Sequence, residues 1–284
     1  MRQLVRAALR EDLGGRGDAT SLALIRPSAR SQGRIVARQE GVFCGGALVR
    51  EVFRQCGRAL RVTFHVRDGR RLRAGQCVAT VEGPTRAILA GERVALNFLK
   101  RLSGIATLAA RCAAAARKGN PRRPPAILDT RKTTPTLRAF EKHAVRCGGG
   151  RNHRAGLFDM VLIKDNHLAA LARETTDPIG EAVRRARRRW PRLEVEVECD
   201  TLDQVRRAAA ARPDFILLDN MPPPRMKRAI AIVNGRAKTE ASGGITLSEI
   251  SAIARTGVDF ISVGALTHSP AALDFSLDLQ PSPP

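Results

Sequence analysis

The stretch from Asp129 to His167 carries Arg131, Lys132, Arg138, Lys142, His143, Arg146, Arg151, His153, Arg154 and Lys164, interrupted by Gly148–Gly150. That much positive charge cannot be buried unpaired, so the stretch is a poor core element. It is suited to cradle a small, rigid, strongly anionic ligand. Arginine grips planar carboxylates through paired N–H bonds, and lysine meets phosphate as a point charge. Further along, Glu198 and Asp219 each close a short apolar run. Two carboxylates of this kind can hold Mg²⁺ or ribose hydroxyls. Ser242-Gly243-Gly244 and Gly264 close two more such runs, and small residues there let backbone N–H groups approach phosphate oxygens. A phosphorylated sugar bound with Mg²⁺, beside a second small polyanion, satisfies all three sets.

These residues need a scaffold that brings them to one place. From residue 126 onward, short strand-like runs (AILDT, FDMVLIK, LEVEVEC, FILLD, KTEAS, FISVG) alternate with helical patterns. This rhythm predicts a parallel α/β sheet. With about six strands, a small closed or partly open α/β barrel is preferred over a doubly wound sheet. Chemistry in such barrels sits at the C-terminal strand ends, where the residues above fall. Helix starts are legible at Asp177-Pro178, Thr201 with Gln204, and Thr246 with Glu249. In LEVEVEC, Val195 and Val197 fall on one face and Glu194, Glu196 and Glu198 on the other. The expected interior is therefore ionic, with lower carboxylates paired to residues such as Lys238 and Glu198 left at the mouth.

The first part of the chain reads differently. A helix is expected over 1–13, strands over 33–43 and around 60–66, and a helix over 45–56. Short strands with Gly turns follow to about residue 84. Residues 86–103 and 105–117 read as two helices meeting near Ser103-Gly104. The segment KGNPRRPP breaks the pattern, so a boundary is placed between about 104 and 125. The last residues, QPSPP, read as a loose tail.

Composition narrows the functional classes. The formal charge is +22, mostly from arginine. It is read chiefly as arginine spread over helix surfaces such as 184–189. Few aromatics are available to stack on bases, and no homeodomain, RNP or zinc-finger pattern is present. No apolar run approaches the length of a membrane span, and the N-terminus lacks a signal core. The six cysteines are scattered, with no CxxC and no Cys/His cluster in the spacing. Neither a disulfide framework nor a zinc site is expected, and a reducing cytoplasm fits.

RKTTPTLRAFEKHAVRCGGGRNHRAGLFDMVLIKDNH resembles the central motif of the quinolinate phosphoribosyltransferase family. EDLGGRGDATS, GERVALNFLKRLSGIAT, LEVEVE, ILLDNM, EASGGI and VGALTHS match in type and order, so the resemblance runs over about residues 8–275. It implies an α/β protein with an N-terminal α/β sandwich domain (1–104, with 270–284 returning to it) and an unusual α/β barrel of fewer than eight strands (105–269). It implies conversion of quinolinate and phosphoribosyl pyrophosphate to nicotinate mononucleotide, pyrophosphate and CO₂, with Mg²⁺, in a homodimer that shares its active sites. Carried over residue by residue, Arg131, His153 and Arg154 would bind the quinolinate carboxylates, and Arg93 would reach in from the neighbouring subunit. Lys132 and Lys164 would meet the pyrophosphate or a substrate carboxylate. Glu198 and Asp219 would hold ribose hydroxyls, directly or through Mg²⁺. Ser242, Gly243, Gly264 and His268 would take the 5′-phosphate. Lys142, His143 and Arg146 are left as either part of the motif or decoration of a helix. Thr136 stands where the family has Gly, and Thr tolerates positive φ poorly, so that turn is expected to differ in shape. ModD-type relatives share the GGG and HR elements. Retention of RKTTP and LIKDNH favours the phosphoribosyltransferase, and a basic nucleic-acid-binding protein leaves Glu198 and Asp219 unexplained.

Overall fold

The computed structural model describes residues 1–281, and the tail expected at the C-terminus lies outside them from 282 on. Its contacts divide the chain into two compact units: 1–110, 135–149 and 270–284 in the first, 111–134 and 150–269 in the second.

In chain order, α1 (Arg2–Leu13) and α2 (Ala19–Leu24) open the first unit. Asp18 caps α2, its carboxylate accepting from the Ser21 N–H. Then follow β1 (Arg30–Ala37), β2 (Gly41–Val42), α3 (Gly46–Cys56), β3 (Arg61–Phe64), β4 (Arg71–Leu72) and β5 (Cys77–Pro84). Phe43, Phe53, Ile35, Leu48, Ile88 and Leu99 are fully buried and form the centre of this unit. Removing such side chains from water is worth roughly 1.5–3 kcal/mol each.

One helix, α4 (Thr85–Gly119), runs for 35 residues where two were expected. Ser103 and Gly104 are packing positions, not a break. Ser103 Oγ donates to the Cys44 carbonyl and accepts from the Cys44 N–H. A Cβ on Gly104 would lie 2.2 Å from the Ala271 carbonyl oxygen, so only glycine permits that approach.

After β6 (Ala126–Leu128) comes α5 (Arg138–Cys147), which packs in the first unit. Lys142 on it is buried, and Arg101 of α4 pairs at 2.6 Å with the fully buried Glu141. Neither residue is surface decoration. Gly148 has an ordinary φ, but a Cβ there would meet the Ala106 carbonyl oxygen at 2.2 Å. Its role is close helix contact, not the backbone slack that a glycine run suggests.

The second unit continues with β7 (Val161–Ile163), α6 (Asp165–Leu171), α7 (Pro178–Arg189), β8 (Val195–Cys199), α8 (Leu202–Ala211), β9 (Phe215–Asp219), α9 (Pro223–Val233), β10 (Lys238–Ser242), α10 (Ile250–Ala254), β11 (Phe260–Ser262) and α11 (Ala265–His268). The six strands form one parallel sheet in the order β6-β11-β10-β9-β8-β7. From β7 on each strand neighbours its successor, and the last pairs with the first, so the sheet curls as a barrel with one open seam, between β6 and β7. Arg151 pairs with Leu128 on the β6 side of that seam.

The expected caps form at Asp177 and at Thr201 with Gln204. Thr246 and Glu249 also bond, but α10 begins only at Ile250. Finally β12 (Phe275–Pro281) returns to the first unit and pairs with β1, giving the antiparallel sheet β12-β1-β5-β3. Gln280 and Pro281, expected in a loose tail, belong to this strand.

The barrel interior is ionic but paired differently from expectation. Glu196 and Glu240 are buried, while Glu194 precedes β8 and is exposed. Lys238 points to solvent and reaches Asp259 at 3.9 Å. The buried carboxylates meet His153 instead, because an imidazole, which can lose its charge, is cheaper to bury than an ammonium. The expected absence of a Cys/His cluster also fails. Cys44 and Asp68 meet His143 and Cys147 within the first unit; the last two are four residues apart on α5, and the fold supplies the other two.

Among the described residues, no helix is long and apolar enough to cross a membrane.

Candidate active site

The site residues of the second unit gather at the C-terminal ends of its strands. The loop after β6 is anchored first. Asp129 is fully buried, and its carboxylate accepts from Asn152 Nδ2 at 2.5 Å and from the His153 N–H at 3.0 Å. Arg151 donates its N–H to the Ile127 carbonyl at 2.8 Å. These bonds fix Arg131 and His153 relative to each other. The sequence signal for Asp129 was only its place at the head of the DTRKTT run, and the Asn152 partnership had none.

His153 Nε2 lies 2.8 Å from Glu196 Oε2 and 3.7 Å from Glu240 Oε2. Ser262 Oγ donates to Glu240. Burial and then the neighbouring Glu196 charge push the Glu240 carboxyl up, and His153 opposes them. The imidazole ring is therefore held from below by carboxylates.

Above this layer stand two guanidinium groups. Arg131 Nε is buried with no hydrogen-bond partner. Arg154 donates to the Met160 carbonyl at 3.4 Å. Burial, and next the Arg131 charge, lower its basicity, with Glu196 and Asp159 opposing. Two partly desolvated cations near each other, one with an unmet donor, favour an anionic ligand.

On the next strand ends, Lys164 Nζ lies 2.5 Å from Glu198 Oε2. Lys164 follows β7 and N-caps α6, and its backbone N–H donates to His167 Nδ1 at 2.9 Å. Glu198 was expected free for a ligand or metal; a cation already neutralises it. Asp219 ends β9 half-buried and accepts from Asn220 Nδ2 at 2.6 Å. Among the described residues, Glu198 and Asp219 belong to neither of the two clusters with metal-ligand spacing.

The Gly-rich turns complete the rim. Ser242 ends β10, and its carbonyl accepts the Asn220 N–H at 3.0 Å. Gly243 has φ +100°, and a Cβ there would meet Asn220 Oδ1 at 2.2 Å, so glycine is required. Gly264 precedes α11, and a Cβ on it would lie 3.3 Å from His268 Nε2 and 3.4 Å from the Lys132 side chain. Lys132 is tied to the same corner by the Thr267 hydroxyl, which donates to its carbonyl at 2.8 Å. Gly264, His268 and Lys132 thus share one corner.

The second unit accordingly holds Arg131, Lys132, His153, Arg154, Lys164, Glu198, Asp219, Ser242, Gly243, Gly264 and His268. Arg93 is the exception. It lies on α4 in the first unit, more than half exposed, 4.0 Å from Glu92.

Comparison with known proteins agrees with this architecture. Residues 18–103 match the model of the quinolinate phosphoribosyl transferase N-terminal domain, and residues 105–278 that of the C-terminal domain. A probable nicotinate-nucleotide pyrophosphorylase [carboxylating] of Bacillus subtilis (strain 168) is 42% identical over 98% of this chain and 93% of its own length. A mitochondrial quinolinate phosphoribosyltransferase [decarboxylating] of Nicotiana tabacum is 40% identical over 98% of this chain and 82% of its own. The crystal structure of NadC from Streptococcus pyogenes superposes with a TM-score of 0.90 at 39% identity, covering 98% of this chain and 96% of that one. By sequence over nearly its whole length and by fold, the chain belongs to the quinolinate phosphoribosyltransferase family.

Proposed function

We propose that the chain catalyses the carboxylating (in reverse, decarboxylating) nicotinate-nucleotide pyrophosphorylase reaction. Quinolinate and phosphoribosyl pyrophosphate give nicotinate mononucleotide, pyrophosphate and CO₂, a step of NAD biosynthesis. Family membership supports this, and the observation that carries it to the site is the buried, partnerless Nε of Arg131 beside Arg154. Quinolinate is a planar dianion, and paired guanidinium groups match its carboxylates. His153, braced by Glu196, supplies a third polar contact to the same ligand.

The remaining residues divide by charge. Lys132 and Lys164 attract the pyrophosphate and stabilise the charge it gains on leaving. Ser242, Gly243, Gly264 and His268 receive the 5′-phosphate. Glu198 and Asp219 face the ribose hydroxyls and offset the cationic character that develops on the ribose carbon. Lys164 thus has two partners in turn: Glu198 at rest and an incoming anion in the complex. The pyridine nitrogen attacks that carbon as its bond to pyrophosphate breaks. The resulting pyridinium stabilises the electron pair left on the ring carbon when the adjacent C–CO₂⁻ bond cleaves, and that carbon then takes a proton from solvent. The protein's contribution is position and charge.

Two carboxylates, one of them engaged by a lysine, make a weak Mg²⁺ site by themselves. They suit an ion that retains waters and phosphate oxygens. Glu198 and Asp219 would hold Mg²⁺ through the ribose or water, where it would offset phosphate charge. Arg93, exposed on α4, supports a homodimer in which it completes the site of a second copy. Six free thiols support a reducing compartment such as the cytoplasm.

The test is direct. Protein incubated with quinolinate, phosphoribosyl pyrophosphate and Mg²⁺ is expected to yield nicotinate mononucleotide and CO₂ in equal amounts. Lys164→Ala should lower turnover about 10²–10³-fold with its circular dichroism spectrum unchanged. No product from quinolinate, or wild-type turnover in the variant, would overturn the reading.

A further inference from the structure

Four side chains of the first unit, none of them in the substrate site, converge on one point. The ligand atoms of Cys44, Asp68, His143 and Cys147 all lie within 4.8 Å of one another. Cys44 Sγ is 3.8 Å from Asp68 Oδ2, Asp68 Oδ2 is 3.1 Å from His143 Nε2, and His143 Nε2 is 3.4 Å from Cys147 Sγ. A tetrahedron with Zn–S of about 2.3 Å and Zn–N or Zn–O of about 2.0 Å has edges of about 3.3–3.8 Å. The three separations fall close to those edges.

The surroundings hold the four groups in place. His143 and Cys147 are one turn apart on α5 and share a face. Cys44 is buried, its backbone N–H and carbonyl both bonded to Ser103 Oγ. Asp68 Oδ1 accepts from the N–H groups of Gly45 and Gly46, at 3.3 and 3.2 Å, at the start of α3. Oδ2 also accepts from the Gly45 N–H, at 3.4 Å, and faces Cys44 Sγ and His143 Nε2; outer-shell bonds of this kind orient metal ligands.

We propose that Cys44, Asp68, His143 and Cys147 form a four-coordinate site for a thiophilic divalent cation, with zinc the ion that this donor set fits. All four positions are filled by protein, so the site is structural. The ion cross-links the segment before α3, the turn at Asp68 and the last turn of α5. It thereby fixes the helix from which the chain runs through Gly148–Gly150 to His153. Both thiols release their protons to solvent on binding.

The experiment uses the full-length, tag-free protein, stripped with a chelator, kept reduced with a phosphine and titrated with Co²⁺. One Co²⁺ per chain is expected, with a thiolate-to-cobalt charge-transfer band in the near ultraviolet, intense tetrahedral visible bands, and displacement by Zn²⁺. Cys147→Ser and His143→Gln alter accessible positions and should fold even if Cys44→Ser does not. Each should weaken Co²⁺ binding by more than the roughly 10–100-fold that loss of an outer-shell partner costs. A purely octahedral spectrum overturns the proposal, as does binding unchanged in Cys147→Ser. A Cys44–Cys147 disulfide that forms in air, with no metal uptake by the reduced protein, overturns it too and identifies the pair as a redox couple.

Discussion

Glu240 shows how much one buried carboxyl can dictate. It lies against Glu196, and both press on one imidazole. Because burial and the Glu196 charge raise its pKa, the folded state binds a proton that the unfolded chain releases in the ordinary glutamate range. Stability must then fall as pH rises above that range, until the folded-state group also ionises. Glu240→Gln keeps the shape and removes the titration. Urea melts at several pH values are expected to show the variant gaining on the parent as pH rises, by up to about 1.4 kcal/mol per pH unit. A constant difference would contradict the arrangement. The strand-end residues were legible from sequence because apolar runs finishing on Lys, Glu, Asp or Gly violate packing logic. The Asp129–Asn152–His153 bonds and the Cys44–Asp68–His143–Cys147 cluster were not. Their partners come from segments whose meeting depends on the completed fold, and no local period encodes it.

At the scale of elements, the turn before α5 is instructive. Thr136 adopts φ 69°, so the chain retains a left-handed turn where a reshaped one was expected. A β-branched residue there is strained by roughly 1–2 kcal/mol, partly offset by the lower unfolded-state entropy that Thr has relative to Gly. Thr136→Gly should therefore stabilise the protein by about 0.5–1 kcal/mol, raising Tm by about 1–4 °C in calorimetry. A lower Tm would mean that the Thr side chain makes a compensating contact. The strands were readable because period-2 alternation and capping residues are local signals. The single helix α4 was not, because the partner that makes Gly104 a contact point is Ala271, far along the chain.

For the whole molecule, the charge of +22 has a visible surface component. Arg184, Arg185 and Arg187 of α7 are exposed and spend their charge on Glu181, Glu174 and Asp214, and Arg189 stacks over Trp190. Local pairing does not cancel the net field, which draws in polyanions of the size proposed as substrates. Salt screens such a field, so kcat/KM for phosphoribosyl pyrophosphate should fall about threefold or more between 50 and 300 mM NaCl at fixed free Mg²⁺. A salt-independent value would confine the excess charge to surface solvation.

The pairing of β1 with β12 has a bearing on biogenesis. Ser31 sits opposite Pro281, so β1 waits for this neighbour until the 250 residues that separate the pair in sequence have been made. At 5–20 residues per second that wait is about 10–50 s. For that interval the apolar residues Ile35 and Val36 lie on a strand with an unpaired edge, the kind of surface that aggregation exploits and chaperones shield. Translation speed over the second unit then becomes a determinant of yield. Slower elongation lengthens the exposure of β1, even though the residues being added are not its own.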